Sequence, residues 1–357
     1  MPVPALDMRL ARRRARGCRF LMPSNAIKVG ILGAGAVVDE VHAPVLAEIP
    51  DVEIAWLCDQ DRERAVRVGR AWGIRGTFDD LRSCPDVDVV LIAIPVGRRR
   101  EALSVVFERG WHAFVEKPFA ISAAEHMRIL EAAGRAGVEV GVGLMRRFFQ
   151  ATNIAHRAFA GEAFGPALEI WAAEASWLGA TGRDGSWYVA DRAAAGGGVL
   201  METGSHLVDQ VFQALEVEAF EDLRAAFTDA EGVDLEARAV ANVRRRGGTE
   251  IIPMHLVLSR IRDLYTGVVV RCEHATIRFG VAFDSRVEVL GRDDRPLCRL
   301  DGPAGATNLY QAFFLEWLAF LEQCRSRQPS RVDATSALLS TRFIETAYRN
   351  GDGAWQA

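Results

Sequence analysis

The sequence predicts an α/β protein with two folded regions: a doubly wound parallel sheet, then an α+β region with an open-faced, mostly antiparallel sheet. The chain has 357 residues, more than one ordinary hydrophobic core accommodates. From residue 27 to about residue 147, short apolar runs alternate with helix-length segments, a pattern typical of strands buried on both faces. Beyond residue 147, strand-like runs follow one another through short turns, which is typical of antiparallel pairing.

The first region contains five candidate strands, each a nearly continuous apolar run. They are Ile27–Leu32, Val52–Cys58, Val87–Ile94, Ala113–Val115 and Val138–Val142. Helices are expected between them near Asp61–Trp72, Arg98–Arg109 and Ala123–Ala136. The last helix begins with a capping box formed by Ser122 and Glu125 and ends before Gly137. We therefore assign residues 27–147 to one α/β domain.

The second region mixes helices with closely spaced strands. Helices are predicted near Thr152–Ala160, Val199–Leu215, Leu309–Ser326 and Ala334–Arg349. Strands are predicted at Ala167–Ser176, Ala239–Arg244, Glu250–Ser259, Thr266–Cys272, Ala275–Phe279 and Arg286–Leu290. We assign residues 148–357 to this α+β domain, and residues 1–26, with six arginines, to a basic extension that we expect to be disordered.

Composition and charge exclude several classes of protein. The formal net charge of −4 at pH 7 argues against a nucleic-acid-binding protein, which needs a basic surface. No apolar run reaches the roughly 18–20 residues that cross a bilayer. The six cysteines show no C-x-x-C spacing, so we expect free thiols in a reducing compartment and no metal site. These observations predict a cytoplasmic protein that binds neither membrane nor nucleic acid.

A glycine turn after the first strand indicates a dinucleotide site. Gly33 permits a tight turn, and Gly35 lets a pyrophosphate approach the backbone where the next helix begins, at Ala36 and Val37. Asp59 ends the second strand, where a carboxylate can accept hydrogen bonds from ribose hydroxyls. We therefore predict that these residues bind a nicotinamide dinucleotide.

Two features of this site leave alternatives open. Val38 replaces the third glycine of the G-x-G-x-x-G pattern, and a glycine turn without a ligand is the competing interpretation. Asp59 and Asp61 would repel a 2′-phosphate, whereas Arg62 and Arg64 could attract one. The two acids favour NAD(H) over NADP(H).

Lysine is scarce in this chain. Of its 43 basic residues, only Lys28 and Lys117 are lysines. An arginine stays protonated at any working pH, whereas a lysine amine can give and take a proton. A lysine in a segment with a buried pattern is therefore a candidate for proton chemistry, which points to Lys117.

Three signatures together carry a family resemblance. They are Gly33-Ala34-Gly35 with Asp59, then Glu116-Lys117-Pro118, and Gly196-Gly197-Gly198 leading into Glu202-Thr203-Gly204-Ser205-His206. From about Ile27 to Tyr348 the chain resembles the glucose–fructose oxidoreductase and inositol dehydrogenase family, Gfo/Idh/MocA. The resemblance implies an NAD-binding Rossmann domain, an open-faced sheet, and a polyol, sugar or cyclitol held against the nicotinamide. It also implies a homodimer or homotetramer.

The resemblance assigns roles to the residues around Lys117. Lys117 is expected to contact the reacting hydroxyl, Glu116 a cofactor ribose, and Pro95 the cofactor. Oxidation of an alcohol releases a proton as hydride leaves carbon, and a lysine amine can take part in that proton transfer. An ordinary salt bridge between Lys117 and Glu116 is the competing interpretation.

Glu202 and His206 lie four residues apart in a segment of helical period, so they share one helix face. The family usually has aspartate where this chain has Glu202, which moves the carboxylate by about a bond length or two. We expect both residues to be catalytic, with His206 as a substrate ligand or as an acid/base partner of Lys117. A polar pair on a solvated helix face is the alternative. Asp209 could orient a neighbour or face solvent.

Four further residues match positions that often line the substrate pocket of the family: Arg146, Arg147, Trp187 and Tyr188. They could form an apolar wall for a sugar ring or clamp an acidic group. We assign Arg147, Trp187 and Tyr188 to substrate binding.

The chain departs from the family pattern after Pro95. Val96 and Arg99 stand where the family commonly has asparagine and histidine, so the loop near the nicotinamide is unusual. His42 and Pro44 are expected to be structural, near a break in the first helix.

The expected function is that of an NAD(H)-dependent oxidoreductase acting on a secondary alcohol of a sugar, cyclitol or sugar derivative. An NAD-dependent glycosidase or sugar–sugar oxidoreductase with tightly held cofactor is one alternative. A non-catalytic NAD-dependent sensor is another, and the departures at Val96, Arg99 and Glu202 keep it open.

Overall fold

The computed structural model describes residues 26–161, 163–176, 192–230, 233–281, 286–302 and 304–352. Most of the predicted basic extension lies outside the described residues, as do Trp187 and Tyr188. Within these ranges the chain forms a six-stranded sheet and a nine-stranded sheet. None of the helices described is both long enough and apolar enough to cross a bilayer.

The first sheet is parallel and has the strand order β3-β2-β1-β4-β5-β6. Its strands are β1 (Ile27–Leu32), β2 (Val52–Cys58), β3 (Gly76–Phe78), β4 (Val89–Ile92), β5 (His112–Glu116) and β6 (Val140–Gly143). This order is the doubly wound arrangement that the sequence predicted. The five predicted strands are present, with ends shifted by up to two residues, whereas the three-residue β3 is too short to show a pattern.

Helices cover both faces of this sheet. They include α1 (Ala43–Glu48), α2 (Arg62–Trp72), α3 (Arg99–Glu108) and α4 (Ala123–Ala136). The capping box of α4 is confirmed, because Ser122 Oγ accepts a hydrogen bond from the Glu125 N–H (3.1 Å). Gly137 ends α4 in the left-handed conformation, with φ of 67°.

The helix after the glycine turn is interrupted by a wider turn. Val38–His42 forms a π-helical segment that passes directly into α1. Pro44 has no N–H to donate, and its ring would clash with a carbonyl of the preceding turn in a regular α-helix. The π-helical segment accommodates it, so Pro44 is structural as expected.

The second sheet has the order β14-β13-β12-β11-β7-β10-β9-β8-β15. Its strands are β7 (Ala167–Ala175), β8 (Val217–Ala230), β9 (Val233–Arg245), β10 (Ile252–Ser259), β11 (Gly267–Cys272), β12 (Thr276–Phe279), β13 (Val287–Leu290), β14 (Pro296–Leu300) and β15 (Gly351–Asp352). It is antiparallel except for the β7–β10 and β8–β15 pairs.

Three strands of this sheet, β8, β14 and the two-residue β15, were not predicted. The register of β8 against β9 shifts at three points, which breaks the alternation of buried and exposed side chains. The edge strand β14 is almost entirely exposed, so no apolar pattern marks it.

Helices cover one face of the second sheet. The remaining α-helices within the described ranges are α5 (Gln150–Ala160), α6 (Arg192–Ala195), α7 (Val199–Leu215), α8 (Leu309–Ser326) and α9 (Leu338–Asn350). Helices α5, α7 and α9 share a hydrophobic core with the sheet. The other face carries Trp171, 45% exposed, whose ring stacks on His255 with centroids 3.9 Å apart. The open-faced sheet is therefore confirmed.

Helix α8 returns to the first sheet. Trp317 and Phe320 pack against Phe114 of β5, with ring centroids 4.6 and 5.1 Å apart. Residues of α8 share one hydrophobic core with β1, β2 and β4. The predicted boundary at residue 147 therefore separates the two sheets but not the two packing units, because α8 belongs with the parallel sheet.

Arg147 connects three distant segments of the chain. Its guanidinium is fully buried and donates to both oxygens of Asp209 on α7, at 2.8 and 2.6 Å. It also donates to the Arg331 carbonyl and to Ser336 Oγ, each at 2.6 Å. The structure contradicts the assignment of Arg147 to the substrate pocket, and it shows that Asp209 orients this arginine.

We expect Arg147→Met to destabilise the protein by about 3–5 kcal/mol, because Asp209 would remain as an unpaired buried charge. Urea denaturation of the two proteins measures the difference. The double variant Arg147→Met/Asp209→Leu is the control and should recover part of the loss. A cost of the single variant below about 1 kcal/mol would contradict this account.

Candidate active site

The glycine turn lies where the ends of β1, β2 and β4 meet. Gly33 has φ of 104°, and a side chain there would overlap the carbonyl of Ala93, just after β4. The Gly33 N–H donates to the Cys58 carbonyl at the end of β2 (2.8 Å). The strand order reverses between β1 and β4, which is where doubly wound sheets bind ligands.

Open space at Gly35 and the start of a helix form a cradle for an anionic group. Apart from the adjoining backbone, no described atom lies within 4 Å of the position that a Gly35 side chain would take. Ala36, which is exposed, and the half-buried Val37 begin the helix. Because the first N–H groups of a helix favour phosphate oxygens, these residues fit the pyrophosphate of a dinucleotide.

Asp59 fixes the glycine turn as well as facing this cradle. Its Oδ2 accepts a hydrogen bond from the Ala34 N–H (2.7 Å), and its Oδ1 accepts from the Asp61 N–H (2.9 Å). Arg64 lies 3.8 Å from Asp59 and 3.2 Å from Asp61. Two carboxylates therefore match the charge of Arg64, which favours ribose hydroxyls over a 2′-phosphate.

Glu116, at the end of β5, is held by a buried hydrogen-bonded chain. His42 donates from Nε2 to Glu116 Oε1 (2.7 Å), and the Lys117 N–H donates to Glu116 Oε2 (3.0 Å). Trp317 donates to His42 Nδ1 (3.0 Å), which places the imidazole proton on Nε2. Burial opposes ionisation, but the His42 hydrogen bond and the charges of Lys117 and Arg99 lower the pKa of Glu116. His42 thus positions Glu116, a role that the sequence did not indicate.

The start of α7 is anchored to the second sheet. Asp234 of β9 accepts hydrogen bonds from the N–H groups of Gly198 (2.6 Å) and Leu200 (2.9 Å). Tyr348 donates to the same carboxylate (2.8 Å). This cap sets the position of the first turn of α7, which carries Glu202.

Lys117 and Glu202 form an ion pair between the two sheets. Lys117 Nζ lies 3.2 Å from Glu202 Oε1, and Glu202 Oε2 accepts from Arg260 Nη2 (3.0 Å) and Thr203 Oγ1 (3.0 Å). The charge of Lys117, aided by Arg260 and opposed by burial, lowers the pKa of Glu202 to about 2. The amine therefore pairs with Glu202 rather than with Glu116, contrary to the competing interpretation from sequence.

His206 lies one turn after Glu202 and is 8% exposed, so it does not occupy a solvated face. Burial, followed by the positive charges of Lys117 and Arg146, lowers the pKa of His206 well below its ordinary value. Its Nδ1 has no hydrogen-bond partner in the part of the chain that the structure describes. His206 is therefore neutral at pH 7, because burial and the two positive charges disfavour the imidazolium.

A polar cavity of about 240 Å³ lies beside these residues. It is lined by Arg146, Glu174, Ser176, Glu202, Thr203, His206 and Arg260. Arg146 donates to both oxygens of Glu174, at 2.7 Å each, so Arg146 and not Arg147 faces the cavity. The sequence did not indicate Glu174 or Arg260, because the parallel pairing of β7 with β10 is what brings their strand ends together.

Comparison with known proteins shows which proteins the chain is similar to. Residues 27–144 match the GFO_IDH_MocA model, that of an oxidoreductase family with an NAD-binding Rossmann fold. Inositol 2-dehydrogenase of Acidothermus cellulolyticus is 27% identical over 340 residues, 89% of this chain and 91% of that protein. D-Glucoside 3-dehydrogenase of Escherichia coli is 26% identical over 207 residues, 57% of this chain and 58% of that protein.

A solved levoglucosan dehydrogenase, in complex with NADH and levoglucosan, shares the fold. Its TM-score is 0.78 at 17% identity, covering 91% of this chain and 97% of that one. Residues 27–144 therefore match the NAD-binding part of the Gfo/Idh/MocA family, the family that the sequence signatures resemble. The matched family binds NAD, in agreement with the prediction from the glycine turn and Asp59.

Arg99 stands where the Gfo/Idh/MocA family commonly has histidine. It is 4% exposed, and it donates from Nε to the Ile94 carbonyl (2.8 Å). Its Nη1 donates to the carbonyls of Glu116 and Pro118, on either side of Lys117. Val96 is also buried, in the turn between Pro95 and α3. The unusual loop therefore holds the Glu116-Lys117-Pro118 segment.

Glu316 on α8 is a buried carboxyl group near this segment. It is 0% exposed, and neither carboxylate oxygen has a hydrogen-bond partner among the described residues. Burial, together with the negative charge of Glu116 and against the charge of Arg147, raises the pKa of Glu316 well above its ordinary value. Glu316 therefore keeps its proton to a higher pH in the folded protein than an exposed glutamate does.

Two glycine substitutions should separate cofactor binding from stability. Gly35→Val has room in the fold, so its Tm should stay within about 2 °C of the parent. Its side chain would fill the cradle, so the Kd for NADH should rise at least about tenfold. Gly33→Val should cost about 1–3 kcal/mol or more from backbone strain and overlap with Ala93. Thermal denaturation and NADH fluorescence titration measure both, and unchanged NADH affinity in Gly35→Val would rule out this cradle.

Glu316→Gln should stabilise the protein by a margin that grows with pH. Unfolding exposes Glu316, which then loses its proton above its ordinary pKa of 4.5. The folded form keeps that proton to a higher pH than the unfolded form does. The free energy of unfolding therefore falls as pH rises above 4.5. We expect the Tm of the variant to exceed that of the parent by roughly 2 °C or more at pH 8, with the difference vanishing below pH 4.5. Glu322→Gln, an exposed position on the same helix, is the control, and a pH-independent difference contradicts the account.

Proposed function

We propose that this chain transfers hydride between NAD and a secondary alcohol of a sugar, cyclitol or sugar derivative. The supporting observation is that the Lys117–Glu202 pair and the neutral His206 adjoin one polar cavity next to the Glu116-Lys117-Pro118 edge of the Rossmann domain. Bound NAD⁺ supplies the hydride acceptor. The names of relatives that act on inositol and glucosides support this class of substrate.

The three side chains divide the proton chemistry. His206 is neutral, so it accepts the proton of the reacting hydroxyl as the carbonyl forms. Lys117 donates to the hydroxyl oxygen and stabilises the negative charge that develops there. Glu202 stays ionised and positions the Lys117 amine. In the reverse direction, protonated His206 returns the proton to the alkoxide oxygen.

We also infer that the chain forms a homodimer or homotetramer through the open face of the second sheet. The exposed Trp171–His255 stack supports this, because large aromatic side chains on a sheet face are typical of protein interfaces. The cytoplasmic location expected from the sequence stays a prediction.

Lys117→Met should abolish turnover without abolishing cofactor binding. We expect NAD reduction to fall by about 10²–10⁴-fold, because the substitution removes the donor to the reacting oxygen. The assay measures NADH formation with a panel of polyols, sugars and sugar acids at alkaline pH, and fluorescence titration measures NADH binding. Lys28→Met is the matched control, since Lys28 is the other lysine and is exposed on β1.

Three outcomes would contradict the proposal. If the parent protein does not bind NADH, it is not an NAD(H)-dependent oxidoreductase. Cofactor that survives dialysis, with no net absorbance change during turnover, indicates a glycosidase or a sugar–sugar oxidoreductase. Biological activity that survives Lys117→Met indicates a sensor.

A further inference from the structure

The polar cavity and the adjoining Lys117 together carry more positive than negative charge. Its wall holds Arg146 and Arg260 together with Glu174 and Glu202, and Lys117 pairs with Glu202. Among these described side chains, three cations therefore face two carboxylates. One positive charge has no counterpart within this group.

Each of the two arginines that line the cavity also has a buried guanidinium N–H without an acceptor among the described residues. Arg146 donates both terminal nitrogens to Glu174, and its Nε has no partner among the described residues. Arg260 donates Nη2 to Glu202, and its Nη1 is likewise unpaired within the described ranges. The two arginines are only 8% and 4% exposed. Buried charged donors without acceptors are costly, so both groups are suited to a ligand that supplies acceptors.

We propose that the substrate is a sugar acid, such as an aldonate or a uronate, whose carboxylate binds Arg260 and Arg146. This inference rests on the proposed function and narrows its substrate class. Carboxylate oxygens only accept hydrogen bonds, and they match guanidinium donors in geometry and charge. A carboxylate in the cavity cancels the unmatched positive charge.

A neutral polyol satisfies the same groups less well. A hydroxyl can accept from arginine, but it also brings a donor and carries no charge. A neutral ligand therefore adds no negative charge to the group formed by Lys117, Arg146 and Arg260 with Glu174 and Glu202. Arg260 also links the two parts of the site, because its Nη2 holds the carboxylate that positions the Lys117 amine.

The test compares matched acid and neutral substrates with the full chain and NAD. The pairs are D-glucuronate with D-glucose, D-galacturonate with D-galactose, and D-gluconate with D-glucitol. We expect kcat/KM to be at least about tenfold higher for the acid than for the neutral sugar in one or more pairs. A hydrogen bond between charged groups contributes enough free energy for a ratio of this size. The preference should weaken as ionic strength rises.

Variants assign the preference to named residues. Arg260→Met should lower the acid-to-neutral ratio of kcat/KM by about 10- to 100-fold. Because Arg260 also contacts Glu202, rates with both substrates will fall, and the ratio isolates carboxylate recognition. Glu174→Gln removes a negative charge from the cavity wall, so the ratio should rise. Arg292→Met, at an exposed arginine outside the cavity, is the control and should leave the ratio unchanged.

Binding measurements separate this inference from the proposed function. Equal or better turnover of the neutral sugars overturns the sugar-acid assignment and leaves the oxidoreductase intact. Absence of turnover with every substrate overturns the proposed function. In that case thermal shifts with D-glucuronate and D-glucose, in the presence of NADH, decide the inference. A shift with glucuronate alone that Arg260→Met removes supports it, and equal or absent shifts overturn it.

Discussion

The ion pair between Lys117 and Glu202 joins two separately built parts of the molecule. Lys117 directly follows β5 of the parallel sheet, whereas Glu202 lies in the first turn of α7 on the second sheet. Arg260, after β10, holds the other oxygen of Glu202. The amine therefore has one defined position relative to both sheets, and the polar cavity lies beside it. The longer side chain of glutamate suits this bridge, because it reaches the lysine and the arginine together.

Buried polar contacts also fix the backbone around Lys117. Arg99 donates to the carbonyls on both sides of that residue, while His42 and Trp317 hold the carboxylate of Glu116. Polar groups removed from water need partners, and here each partner comes from a different element. Trp317 belongs to α8, so the return of this helix to the parallel sheet contributes to the cofactor edge as well as to the hydrophobic core.

Arg146 and Arg147, which follow β6, differ in how many of their guanidinium N–H groups have acceptors. Arg147 has acceptors from Asp209, from a carbonyl and from a hydroxyl group, which is what a structural ion pair in the interior requires. Arg146, which lines the cavity, keeps one buried N–H unpaired among the described residues after binding Glu174. Unpaired buried donors are unfavourable for folding alone, which is why we propose that Arg146 contacts a ligand.

The sequence by itself determined the features written in neighbouring residues. Continuous apolar runs located β1 and β2, helical period located α7 and α8, capping residues set the ends of α4, and the scarcity of lysine singled out Lys117. Only the tertiary structure decided which arginine faces the cavity, because Arg146 and Arg147 are chemically alike. Arg146 pairs with Glu174, 28 residues away, and Arg147 pairs with Asp209, 62 residues away. Local periodicity cannot encode such contacts, since strand pairing and helix docking between distant segments create them.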